Sequence, residues 1–160
     1  MALADLGCQW SSPLNSQAFI HAALEEARQG LREGGIPIGS VLVSDGRILG
    51  RGHNRRVQAG STVLHAEMDA LERAGRRPAS VYRACTLYTT LSPCAMCSGA
   101  VLLYGIPRVI IGENRTFRGE EELLRSRGVR VEVLNDPDCE RLLADFIREH
   151  PDLWDEDIGR

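Results

Sequence analysis

The feature that most restricts the fold is an alternation of strand-like and helical segments after residue 54. Segments 85–90, 109–111 and 129–134 are rich in apolar or β-branched residues, and segments of helical pattern separate them. Such alternation is typical of a sheet covered by helices on both faces. We therefore predict an α/β fold, a three-layer α/β/α sandwich with a mixed central sheet of about five strands. No linker, repeat or low-complexity tract interrupts the chain, so we expect residues 1–160 to form a single domain.

The remaining strands form a predicted hairpin ahead of that alternation. Residues 41–43 and 48–50 are apolar, and Asp45-Gly46 between them is a tight-turn signal. The predicted helices cover residues 16–32, 63–74, 93–104, 120–127 and 138–150. Ser16, Thr62 and Ser92 are the expected N-caps of the first three. The helix over residues 93–104 is apolar on most sides and is predicted to be largely buried.

Charge and hydropathy argue against two classes of partner. The net charge is −3 and the pI is about 5.8, whereas nucleic-acid-binding domains are usually basic. The short pairs Arg55-Arg56 and Arg76-Arg77 are predicted to be solvated loop charges, so we expect no nucleic acid partner. No apolar run reaches the roughly 18 residues of a membrane span, and residues 1–9 lack the pattern of a secretory signal. A small neutral substrate is the starting expectation.

Five cysteines are present, and two of them form the motif Cys94-x-x-Cys97. In a chain from a reducing compartment this spacing indicates metal or redox chemistry rather than a disulfide framework. The other three, Cys8, Cys85 and Cys139, lack partner spacing and are expected to be buried or incidental thiols.

Three candidate metal ligands, His65, Cys94 and Cys97, are predicted at the starts of two helices. Helix N-termini favour anions, which lowers thiol pKa values, and two thiolates with one imidazole suit tetrahedral Zn²⁺. Structural zinc sites usually have four protein ligands, so three leave a position for water, as in catalytic sites. Glu67 points in a different direction from His65 and is a candidate proton carrier beside that water. A redox pair and a non-catalytic zinc module remain alternatives, and neither explains Glu67.

His65-Ala66-Glu67 followed by Pro93-Cys94-Ala95-Met96-Cys97 matches the H-x-E and P-C-x-x-C signature of zinc nucleobase deaminases. The chain resembles the cytidine-deaminase-like superfamily, and within it the fungal, yeast-type cytosine deaminases. The resemblance extends over nearly the whole chain. Its other matching segments are residues 33–39, 50–54, 87–94, 104–107, 112–114, Trp154 and 156–159.

The resemblance implies a reaction: hydrolysis of free cytosine, and of 5-substituted cytosines such as 5-fluorocytosine, to a uracil and ammonia. One Zn²⁺ per subunit would be bound by His65, Cys94 and Cys97, and Glu67 would transfer protons between water, ring N3 and the leaving amine. A homodimer in pyrimidine salvage, located in the cytoplasm or also the nucleus, is implied as well. The implied substrate contacts are the Asn54 amide, the Ala66 backbone N–H, the Ser92 carbonyl, the Asp157 carboxylate, and the side chains of Phe117, Trp154 and Ile38.

Two related activities remain open on the same motifs: tRNA adenosine deamination and guanine deamination. The net negative charge and the aromatic C-terminal segment argue against tRNA as the substrate. A pocket closed by Trp154 would leave little room for a nucleoside's ribose. The chain departs from the fungal pattern at Ala66, where those enzymes have Gly. It departs again at Asp155, where they have an aromatic residue.

Overall fold

The computed structural model describes residues 13–160. The expectations for residues 1–9 and for Cys8 lie outside these residues. The elements in chain order are α1 (Pro13–Arg32), β1 (Gly39–Ser44), β2 (Arg47–His53), α2 (Arg56–Ala59), α3 (Ala66–Ala74), α4 (Ala79–Tyr82), β3 (Cys85–Leu91), α5 (Ala95–Tyr104), β4 (Arg108–Glu113), α6 (Glu121–Ser126), β5 (Arg130–Val133), α7 (Pro137–Glu149) and α8 (Pro151–Asp157).

The five strands form one mixed sheet in the order β2-β1-β3-β4-β5, as predicted. Strands β1 and β2 are the predicted antiparallel hairpin, and its turn places Asp45 and Gly46 at positive φ. Strand β1 also pairs antiparallel with β3, whereas β3, β4 and β5 are parallel. Parallel neighbours require a crossover, and α5 and α6 supply the two that are needed.

Helices cover both faces of the sheet, which confirms the three-layer prediction. Successive side chains of a strand point to opposite faces, so Leu42 belongs to one core, and Val41 and Val43 belong to the other. The first core joins the sheet to α3, α5 and α6, and the second joins it to α1 and α7. A third cluster at one end of the sheet, around Leu91 and Trp154, lies beneath the site described below.

Two glycines of β2 allow α3 to approach the sheet closely. A Cβ on Gly50 would lie 2.2 Å from the Ala70 carbonyl oxygen, and one on Gly52 would lie 2.4 Å from the Ala70 nitrogen. Any larger residue would push the helix away. The glycines therefore fix the position of α3, and with it the residue that precedes the helix, His65.

The predicted N-caps at Ser16 and Thr62 are wrong. Helix α1 begins earlier, at Pro13, and Ser16 lies inside it with its side chain buried. Helix α3 begins later, at Ala66, with His65 as its N-cap residue. The backbone just before α3 is not available to extend the helix, because the Leu64 carbonyl accepts a hydrogen bond from the Arg55 nitrogen.

Ser92 is not a helix cap either. Its hydroxyl donates to Glu121 (2.8 Å) and accepts from the Gly119 nitrogen (2.9 Å). The carbonyl of Pro93 accepts from the Glu120 nitrogen, so these residues connect to the loop before α6. Helix α5 consequently starts at Ala95, and Cys94 takes the N-cap position.

Three short helices, α2, α4 and α8, were not predicted, and helix α5 is less buried than predicted. Pro151 both follows α7 and begins α8, so a residue expected only to end one helix opens another. In α5, Ala100 and Val101 are buried, but Leu103 is 76% exposed and Gly99 faces open space. Among residues 13–160, no helix combines the length and apolar character that crossing a membrane requires.

Candidate active site

Three predicted metal ligands converge at the carboxyl end of β3. His65 and Cys94 precede α3 and α5, respectively, and Cys97 lies in the first turn of α5. His65 Nδ1 is 3.4 Å from Cys94 Sγ and 3.8 Å from Cys97 Sγ. All three ligand atoms lie within 4.8 Å of one another. The two loops that follow β2 and β3 therefore build one cluster from residues about thirty positions apart.

These distances fit a zinc ion. Ligands at about 2.3 Å for sulfur and about 2.1 Å for nitrogen, in tetrahedral geometry, lie about 3.6 Å apart. The observed separations of 3.4 and 3.8 Å bracket that value. Among the described residues, the cluster contains these three ligand side chains and no fourth. The donor set therefore matches a zinc site with one position left for water or substrate.

Glu67 is buried beside the metal ligands. Its Oε2 accepts from Cys97 Sγ at 3.3 Å, and its Oε1 accepts from the Thr89 hydroxyl at 3.0 Å. Thr89 lies on β3 and fixes the carboxylate in one orientation. Burial raises the pKa of Glu67, which makes the carboxylate a stronger proton acceptor.

The ligand side chains polarise one another. A hydrogen bond from Cys97 lowers the pKa of the Cys94 thiol to about 4, whereas the same bond and burial raise that of Cys97. Burial lowers the pKa of His65, but the hydrogen bond to Cys94 and the charge of Glu67 outweigh it and raise the value to about 9. Cys94 is consequently held as a thiolate, the form that binds metal, whereas His65 must release its proton when Nδ1 binds the metal.

A small cavity opens directly above this cluster. Six of the seven predicted substrate-contact residues line it: Ile38, Ala66, Ser92, Phe117, Trp154 and Asp157. The rings of Phe117 and Trp154 meet edge-to-face, with centroids 6.0 Å apart. Leu91 and Ile158, which sequence analysis did not single out as site residues, complete the apolar part of the wall. The cavity is thus apolar except for the side of the wall formed by polar and ligand residues: His65, Cys94, Glu67, Ser92 and Asp157.

The seventh predicted residue, Asn54, lies behind Asp157. It is fully buried, and its Nδ2 donates to the two carboxylate oxygens of Asp157 at 3.0 and 3.1 Å. Its Oδ1 accepts from the Arg56 nitrogen at 3.0 Å. In turn, Asp157 Oδ1 lies 3.7 Å from His65 Nε2. The amide therefore orients a carboxylate that faces the metal ligands.

Comparison with known proteins assigns this site to a family. The model of the cytidine and deoxycytidylate deaminase zinc-binding region matches residues 14–113. A cytosine deaminase of Candida albicans is 55% identical over 141 residues, which cover 88% of this chain and 94% of the relative. A tRNA-specific adenosine deaminase of Streptococcus pyogenes serotype M18 is 39% identical over 142 residues, covering 82% and 89%. A structure from a study of A-to-I editing by tRNA:A34 deaminases has a TM-score of 0.67 at 28% identity, covering 79% and 99%.

The chain belongs to the zinc-binding cytidine and deoxycytidylate deaminase family. As a member of this zinc-binding hydrolase family it has the expected fold, and His65, Cys94 and Cys97 form a cluster that could hold the metal. These ligands were predictable because their spacing is local and their chemistry is distinctive.

The deaminase site also contains polar residues that sequence analysis missed. Arg56, predicted to be a solvated loop charge, is largely buried and pairs with Glu156 and Asp157. Thr89 and Glu121 contact Glu67 and Ser92, respectively. The two-residue period of side chains along β3 places Thr89 on the same face as Leu87, which indicates that Thr89 points inward. No local sequence pattern indicates that Arg56 or Glu121 belongs to the site.

Proposed function

We propose that this protein is a cytosine deaminase, which hydrolyses free cytosine to uracil and ammonia. The observation on which the proposal depends is the placement of Glu67 beside three zinc ligands on the floor of a small, aromatic-covered cavity. The 55% identity to the Candida albicans cytosine deaminase, over most of both chains, favours a pyrimidine base as the substrate.

A bound zinc ion would lower the pKa of a water molecule to about 7 and so supply the nucleophile. Glu67, held by Thr89, would take one proton from that water and deliver it to ring N3 as the water oxygen bonds to C4. It would then take the proton of the new C4 hydroxyl and deliver it to the amine, so that the C4–N bond breaks, ammonia leaves and the C4 carbonyl of uracil forms. Its raised pKa suits both accepting and returning a proton. Its burial keeps bulk water from competing for that proton.

Polar groups around the cavity would read the edge of the base. The exocyclic amine would donate to the Ser92 carbonyl and to the Asp157 carboxylate. The Ala66 backbone N–H would bind O2. Asn54, expected to bind O2 and N1–H directly, lies buried behind Asp157 and would instead act through that carboxylate, which it orients.

Apolar side chains would enclose the base and set the size limit. Phe117 and Trp154, which meet edge-to-face, would together cover the base, and Ile38 would line the wall. Because Trp154 is buried and closes the cavity, a ribose attached to the base would clash with it. We therefore expect cytidine to be a poor substrate and 5-fluorocytosine, which adds a single small atom, to be a good one.

A parallel assay of four substrates tests the proposal. Purified, zinc-loaded protein is incubated with cytosine, cytidine, guanine and a tRNA anticodon stem-loop, and ammonia release and absorbance are followed. We expect turnover of cytosine that exceeds each of the others at least tenfold. Preferential turnover of the stem-loop or of guanine would instead assign the protein to the tRNA adenosine or guanine deaminases.

We also propose that the protein forms a homodimer through α5. This helix contains no charged residue, yet Ala95, Gly99 and Leu103 form an exposed stripe at four-residue spacing. A second copy would bury the stripe together with the adjoining groove beside Tyr104.

The proposal extends to the setting of the enzyme. Residues 1–160 are proposed to form one catalytic domain, and the strands among the described residues 13–160 support this because all five belong to a single sheet. The four described cysteines are free thiols, which suits a reducing compartment, the cytoplasm or the nucleus. A role in pyrimidine salvage follows from the proposed conversion of cytosine to uracil.

A further inference from the structure

Arg56 connects the wall of the cavity to the helix that covers it. One guanidinium nitrogen donates to Glu156 at 2.6 Å, and the other donates to Glu156 at 2.8 Å and to Asp157 at 3.0 Å. The Nε atom donates to the Thr62 carbonyl at 2.9 Å, so the guanidinium is also held on the side that faces away from α8. The side chain is only 12% exposed. This is the fork geometry that makes arginine–carboxylate pairs strong.

Helix α8 depends on such contacts for its position. It has seven residues, too few for a helix that is stable alone in water. It nevertheless supplies Trp154, Asp157 and, just beyond its end, Ile158 to the cavity. Whatever holds α8 in place therefore also keeps the cavity closed.

Asp157 receives hydrogen bonds from two sides. Asn54 donates to it from the end of β2, and Arg56 donates from the start of α2. Both donors belong to the segment between β2 and α3, behind the cavity, whereas the carboxylate belongs to the helix that covers it. The orientation of Asp157 is consequently defined only while α8 lies against that segment.

We propose that Arg56 is a positioning residue that couples closure of α8 to the orientation of the Asp157 carboxylate. The same guanidinium binds Glu156, which fixes the helix, and Asp157, which faces the substrate amine. When α8 moves away, both carboxylates leave Arg56 together, and the cavity loses its cover and its amine acceptor in one event. This inference rests on the proposed function, in which Asp157 binds the amine of cytosine.

Substitution of Arg56 tests the coupling, and the neighbouring Arg55 provides a matched control. Arg55 also forms an ion pair, with Asp69, but it does not contact α8. R56Q should raise the KM for cytosine at least about tenfold, the scale of one charge-assisted hydrogen bond, with a smaller effect on kcat. R56K, which keeps the charge but not the fork, should fall between R56Q and the wild type. R55Q should stay within about twofold of the wild type, as expected for a partly exposed ion pair.

Quenching of Trp154 fluorescence by acrylamide reports on the cover directly. Trp10, outside the described residues, is replaced by Phe in every protein, so that Trp154 is the sole tryptophan. R56Q should make Trp154 more accessible to acrylamide, and saturating cytosine should reduce that access. Substitution E156Q should also increase access but change KM less, because the contact between Arg56 and Asp157 remains.

The outcomes separate this inference from the proposed function. If R56Q matches R55Q in KM and in quenching while the wild type deaminates cytosine, the coupling is wrong and the function stands. If the wild type does not deaminate cytosine, the function is wrong, and the quenching series still decides whether Arg56 holds α8 closed. Should R56Q fail to fold, R56K decides: values equal to the wild type in both measurements would overturn the proposal.

Discussion

At the scale of single residues, Cys94 offers the cleanest test of the metal site. Its substitution by alanine removes one of three ligands and should abolish stoichiometric zinc binding, because two ligands cannot complete a stable site. Stability should fall with the metal, since binding couples to folding. Metal content by mass spectrometry and the thermal unfolding midpoint measure both effects.

Cys85 provides the control for that substitution. It is a buried free thiol on β3 whose Sγ donates to the Val81 carbonyl, away from the metal ligands. C85A should lose some packing energy but retain zinc. Full zinc occupancy in C94A would show that the ligand set is wrong.

Individual site residues differed in how far the sequence revealed them. His65, Cys94 and Cys97 lie in two short motifs, and each motif is readable without knowledge of the fold. Arg56 is different, because its partner Glu156 is 100 positions away and neither residue belongs to a local pattern. An arginine beside another arginine in a polar stretch is ordinarily solvated, and only the packing of α8 makes this one an exception.

At the scale of secondary structure, the start of α7 is fixed by Asp136. Its side chain accepts hydrogen bonds from the backbone nitrogens of Asp138 and Cys139, both at 3.0 Å. D136A should lower the free energy of unfolding by about 1 kcal/mol, the usual cost of losing an N-cap. Chemical denaturation measures this, and D145A, at an exposed position within the same helix, should change stability much less.

The cap contribution should also depend on pH. Burial alone raises the pKa of Asp136, but hydrogen bonds from the Cys139 backbone and from Gln17 outweigh it, so the pKa is lowered. The stabilisation is then fully present above the unfolded value of about 3.9 and is lost as pH falls through the lower folded value. The stability difference between wild type and D136A should therefore shrink between pH 6 and pH 3. A difference that stays constant would contradict the assignment.

The sequence predicted long elements better than their boundaries. Strands and helices with clear periodicity all formed, because their apolar faces had to be buried. The errors at Thr62 and Ser92 share one cause. Both are good N-cap residues by type, but the backbone before α3 and the Ser92 hydroxyl form hydrogen bonds with other segments. Such tertiary competition is invisible to local patterns.

At the scale of the whole molecule, the exposed face of α5 predicts a dimer. L103E should place a charge in the proposed interface and convert the protein to monomers, measured by sedimentation at micromolar concentration. Leu123, a partly exposed leucine on α6, provides the matched control, and L123E should leave the assembly unchanged. A wild-type protein that sediments as a monomer would exclude the interface.

The fold class was predictable from one chain, but the burial of α5 was not. The apolar composition of α5 indicates a helix whose surface is buried. In the single subunit, however, one side of α5 is exposed and no other described residues cover it. The apolar pattern of a helix indicates how much of its surface is buried. It does not indicate whether the residues that bury this surface belong to the same subunit.

Deamination of cytosine by this protein depends on proton transfer by Glu67 beside the zinc ligands, if the proposed function is right. The turnover number for cytosine in E67Q measures this dependence, with zinc content and folding determined on the same sample. We predict a folded protein with one zinc per subunit and a loss of at least about 10³-fold in kcat, because the proton carrier is gone. Turnover close to that of the wild type in zinc-loaded E67Q would contradict the account.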